Sequence, residues 1–81
     1  MNLVELTEFI VKSLVKDADL VSVKEIDSED NMITIQVLIS NDDMGAVIGK
    51  GGMISKALRT VVQASSNMHE GPKVKIDIDG F

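Results

Sequence analysis

Three glycines within four residues, Gly49, Gly51 and Gly52, enclose Lys50 and stand between two stretches of helical periodicity. One glycine is enough to turn a chain, so three of them with a lysine constrain the fold more than any other feature. Glycine has no Cβ; it adopts backbone conformations closed to other residues and lets another molecule come close to the main chain. The first amides of the helix that follows carry a partial positive charge, which suits an anion. The segment therefore predicts a helix, a bare loop and a second helix, with Lys50 as a mobile cation at the tip.

The rest of the chain reads as one domain spanning residues 1–81, expected to be a complete small module. Only Phe9 and Phe81 are aromatic, so the 44% of apolar residues must build an aliphatic and Met core. Residues 2–16 repeat Leu3, Leu6, Ile10 and Leu14 at helical spacing, and Asn2 with Glu5 has the form of a reciprocal helix cap. Asp17 and Asp19 are expected to end that helix. Two strands are predicted at 21–26 and 32–40, joined by a polar turn at 27–31; in the second, Ile33, Ile35, Val37 and Ile39 share one face. Asn41, Asp42 and Asp43 supply a cap and negative charge for a short helix over 43–48. A longer helix over 53–68 stops at Gly71 and Pro72, and 73–79 alternates as a closing strand with Val74, Ile76 and Ile78 inward. The order αββααβ predicts an α+β fold, a three-stranded sheet with the helices on one face.

Net charge is −5, which speaks against a polyanion partner until its distribution is considered. Residues 1–31 sum to −5 and 61–81 to −1, whereas 32–60 sum to +1, and from 44 to 60 the only charges are Lys50, Lys56 and Arg59. With a screening length of about 8 Å in physiological salt, such a patch can differ in sign from the whole molecule. The absence of Cys excludes disulfides, thiolate zinc sites and a thiol nucleophile. Glu5 and Glu8 interrupt the apolar residues of 1–13, which have no basic start. Neither a signal peptide nor a membrane span is expected, and a soluble cytoplasmic protein is. No enzyme is expected, nor any cofactor or metal. His69 stands alone near a helix end, Asp42 and Asp43 are explained as helix-start chemistry, and the acidic run 27–30 lacks the spacing of a calcium loop.

Two better-known glycine loops fail on spacing. Gly45 and Gly49 enclose three residues where a nucleoside-triphosphate loop needs four, and a dinucleotide fingerprint begun at Gly49 would require glycine at Ile54. What remains is glycine, two variable residues and glycine between two helices, the loop by which KH domains clamp the backbone of about four nucleotides. Residues 47–52, continued by Met53, Ile54, Ser55, Lys56, Ala57, Leu58 and Arg59, resemble the KH signature. The element order looks like the type II, prokaryotic arrangement. In length and in the run 56–62 the chain is similar to the small bacterial RNA-binding proteins of the KhpA (YlqC) family.

This resemblance implies that Gly49, Lys50, Gly51 and Gly52 hold single-stranded RNA by its backbone, with Ile48 and the second strand lining an aliphatic groove for bases. Such a groove suits a chain without Trp or Tyr. Met53 stands where many relatives carry a basic residue and Ser55 where many carry Ile, which implies weak binding with little sequence selectivity. If Lys50, Lys56 and Arg59 each neutralise one phosphate, the salt slope is about −2, roughly a 20-fold loss of affinity between 50 and 200 mM salt.

On the longer helix, Ala57, Leu58, Val61, Val62, Ala64, Ser65 and Met68 span about 160°, more than the ~100° a core-facing stripe needs. Val61, Ala64 and Met68 are the expected shoulder of a subunit interface. The resemblance implies dimerisation there, with a second copy or with the KH-containing partner KhpB (Jag, EloR), in an RNA chaperone or post-transcriptional regulator tied to cell elongation or division. The alternative is a protein-interaction module that keeps the KH architecture and has little RNA affinity of its own.

Overall fold

The computed structural model describes residues 2–81, the side chains of residues 27 and 28 apart; Met1, and those two side chains of the acidic run, lie outside what is described. The elements follow the order α1 (Leu3–Leu14), β1 (Ser22–Glu29), β2 (Met32–Ile39), α2 (Met44–Ile48), α3 (Met53–Met68) and β3 (Lys73–Gly80). The αββααβ order and the α+β class expected from the sequence are both present. The reciprocal cap of α1 is also in place: Glu5 N–H donates to the Asn2 side chain at 2.8 Å, and Asn2 N–H donates to the Glu5 carboxylate at 3.2 Å.

The sheet runs β1, β2, β3, with β1 antiparallel to β2 and β3 parallel to it. The alternation of β2 works as read: Ile35, Val37 and Ile39 are fully buried. They meet Val11 of α1, Val47 of α2, Leu58 and Val62 of α3 and Val74 of β3 in one core, so all three helices cover the same face of the sheet. At about 25 cal/mol per Å², burial of these aliphatic chains is the main force holding the layers together.

Three local expectations change. The hairpin turn is tighter than the polar run suggests: β1 continues to Glu29, and the turn is made by Asp30 (φ 41°) and Asn31 (φ 64°). Polarity misled there because an edge strand with a solvated face carries polar residues without being a loop. Helix α1 ends at Leu14 rather than at the aspartates, and the following Lys16 and Asp17 N–H groups donate to the Asp43 carboxylate at 3.1 and 3.2 Å. Asp43 therefore does not cap the short helix. It is buried and ties the end of α1 to the start of α2, while Ser40 caps the 3-10 turn Asn41–Asp43 that leads into α2.

Candidate nucleic-acid interface

Helix α2 is five residues long and is held by Val47, which is fully buried in the core. Its last turn closes when the Gly49 N–H donates to the Gly45 carbonyl at 2.9 Å. Gly49 then takes φ 75° and ψ 173°, a region that residues with a Cβ essentially never occupy. A Cβ at this position would lie 2.6 Å from Ile54 Cγ1, so Gly49 is required twice, by its dihedrals and by the side chain beneath it. Gly51 (φ 64°, ψ 17°) and Gly52 (φ 78°, ψ 15°) are left-handed, and the Gly52 N–H donates to the Gly49 carbonyl at 3.1 Å.

Met53 N–H donates to the Lys50 carbonyl, and the Ser55 hydroxyl donates to the Gly52 carbonyl at 3.0 Å. Lys50 and Gly51, at the tip of the loop, are both exposed. Open space surrounds Gly51, where an added Cβ would meet nothing within 4 Å. A bare, exposed glycine turn at the head of a 16-residue helix, beside a lysine, offers a surface of the kind that suits an anion.

Of the other expected site residues, Lys56 is exposed and lays its stem beside the loop, its Cε 3.9 Å from where a Gly52 Cβ would stand. Arg59 is exposed as well, but it lines a separate concavity of about 310 Å³ with Thr60, Gln63, Ala64 and Asn67, farther along α3. Ile48 is half-buried next to the loop. The second strand, expected to line the same groove, has Ile35, Val37 and Ile39 wholly enclosed, so those side chains serve the core and offer nothing to a base. The apolar surface at the loop comes instead from Ile48, Ile54 and Met53, the last 71% exposed. Ile54 was not singled out from the sequence; its signal was the need for glycine at position 49, which implies a side chain packed against it. Val61, Ala64 and Met68 are all exposed on α3, Met68 to 81%.

A family model described as the KhpA/KhpB KH domain matches residues 4–78. This chain belongs to that family. It is 46% identical over 74 residues to the RNA-binding protein KhpA of Clostridium perfringens, covering 91% of this chain and 96% of the relative. Against the RNA-binding protein KhpA of Clostridium acetobutylicum the identity is 42% over the same shares of both chains. These relatives are named as RNA-binding proteins and not as enzymes. Among solved structures, Aquifex aeolicus Era in a GDP-bound complex superimposes with a TM-score of 0.65 at 19% identity, over 94% of this chain and 29% of that one. That likeness concerns the fold alone. Among the described residues, no helix is long and apolar enough to cross a membrane, and no group of acidic or histidine side chains could hold a metal ion.

Proposed function

We propose that this chain binds single-stranded RNA in the bacterial cytoplasm by seating the sugar-phosphate backbone on Gly49, Lys50, Gly51 and Gly52. The observation that carries the reading is the exposed Lys50–Gly51 tip with open space around Gly51, set in a stretch whose only charges are cations. Lys50 and Lys56 flank the backbone path, Arg59 extends it along α3, and Ile48 receives a base edge. Few charge contacts and a short apolar strip favour weak, sequence-tolerant binding, the property of an RNA chaperone or post-transcriptional regulator. A role in cell elongation or division follows the family resemblance. Pairing through Val61, Ala64 and Met68, with a second copy or with KhpB, would join two weak grooves and raise their effective affinity.

Titration of a labelled single-stranded RNA at low salt tests the loop. Lys50→Asp combined with Gly51→Asp reverses the charge at the tip, and the open space at Gly51 together with the tolerance of Asp for left-handed backbone keeps the variant folded. Affinity is expected to fall at least about tenfold with an unchanged circular dichroism spectrum. Equal binding by both proteins refutes the clamp.

The exposure of Val61 and Met68 favours a second reading, an adaptor that works through α3 with little RNA affinity. Val61→Asp is expected to turn a dimer into a monomer in sedimentation. If the wild type dimerises but binds no RNA at low salt, the adaptor reading replaces the first.

A further inference from the structure

The two edges of the sheet are built differently. The β1 edge is interrupted by a bulge between Glu25 and Asp27, a device that protects an edge from pairing with another chain. The β3 edge has none: its register against β2 runs unbroken from Met32 opposite Lys73 to Ile39 opposite Gly80. Lys73 N–H donates to the Asn31 carbonyl at 2.9 Å, and Phe81 N–H donates to the Ile39 carbonyl at 3.0 Å. Odd-numbered residues of β3 therefore bond inward to β2, and Val74, Ile76 and Ile78 turn their backbone groups outward. Gln63 takes the Val74 N–H through Oε1 at 2.8 Å; those of Ile76 and Ile78 have no partner among the described residues.

The charges on this strand are ordered Lys73, Lys75, Asp77, Asp79, all on the face away from the helices. We infer that β3 is a self-pairing edge, which joins antiparallel to β3 of a second copy about a two-fold axis through Ile76. In that register Ile76 exchanges both backbone hydrogen bonds with the partner's Ile76, and Ile78 donates to the carbonyl of the partner's Val74. Lys75 lies opposite the partner's Asp77 and Lys73 opposite the partner's Asp79, in the non-hydrogen-bonded pairs whose side chains approach most closely. Parallel pairing would set Lys on Lys and Asp on Asp, so charge selects the antiparallel arrangement. Ile76 and Ile78, half-buried beside the enclosed Ile35, Val37 and Ile39 of β2, gain cover from the added strand. With Gln63 holding the Val74 amide the paired segment is short, and the association is weak and concentration-dependent.

The pairing uses no residue of the proposed α3 contact, so it is tested in a Val61→Asp background by equilibrium sedimentation and by amide shifts of β3 on dilution. The parent is expected to self-associate at high concentration. Lys75→Asp or Asp77→Lys alone puts like charges at both symmetry-related positions and should raise the dissociation constant about tenfold. The double exchange, Lys75→Asp with Asp77→Lys, restores opposite charges about the same axis and should restore association; the two single variants should prefer each other when mixed. If the wild type dimerises while the Val61→Asp parent stays monomeric at every concentration, the α3 contact stands and the strand pairing is overturned. If the Val61→Asp parent associates like wild type and the charge exchanges control it, strand pairing stands and the α3 contact fails. Association indifferent to all the exchanges also overturns the pairing.

Discussion

The two ends of α3 are both turned by residues with left-handed backbone, yet they are finished in opposite ways. At the carboxyl end, Glu70 supplies the positive φ of 52°, and every backbone donor of the turn is used. His69 N–H donates to the Ser66 carbonyl, Glu70 N–H to that of Asn67, and Gly71 N–H to that of Ser66 at 2.8 Å. The Ser66 hydroxyl then donates to the Pro72 carbonyl. At the amino end three glycines take positive φ, and Lys50 and Gly51 are exposed, with open space around Gly51. A turn that only has to reverse the chain closes on itself, because unpaired buried amides are costly. A turn built on three glycines that keeps its tip bare and exposed, in a stretch whose only charges are cations, leaves room for a partner outside the chain.

The comparison is most exposed to failure at Gly49. Gly49→Ala places a methyl 2.6 Å from Ile54 Cγ1 and 3.0 Å from Ile54 Cβ, at dihedrals that only glycine holds without strain. Backbone strain and overpacking together should cost about 2–4 kcal/mol in urea denaturation, the largest effect of any single methyl added to this loop. An unchanged midpoint would mean that the loop relaxes into another shape, and it would then have no fixed geometry to offer a phosphate.

Much of this was legible beforehand, for identifiable reasons. The period of α1 and α3, the alternation of β2 and the punctuation at Gly71 and Pro72 are local signals, and the elements they mark are present. The glycine loop was legible because glycine has few reasons to cluster. Contacts distant in sequence were hidden: Asp43 looked like a helix cap, and only the folded chain shows it accepting from Lys16 and Asp17, 27 and 26 residues away. For the same reason the sequence does not show that the inward side chains of β2 are enclosed by all three helices at once. The parallel pairing of β3 with β2, and hence its open outer edge, is a property of topology that composition does not encode.

The smaller effect belongs to the closed end of α3. A Cβ at Gly71 would lie 2.7 Å from Ser66 Oγ and 3.1 Å from the Ser66 carbonyl oxygen, so Gly71→Ala presses on the hydroxyl that holds Pro72. The expected loss is about 1–2 kcal/mol, with RNA affinity per folded molecule unchanged. Ser66→Ala, which removes a hydroxyl buried to 2% exposure but leaves Gln63 donating to the same Pro72 carbonyl, should cost about 1 kcal/mol. Combining the two should cost less than their sum, because the clash disappears with the oxygen that causes it; residues in contact show such coupling and distant ones do not. Strict additivity would separate the hydroxyl from the glycine, and the carboxyl turn would no longer count as closed by its own atoms. A fall in RNA affinity without a fall in stability would be more damaging, since it would place ligand contacts at the end of α3 where every amide is already taken.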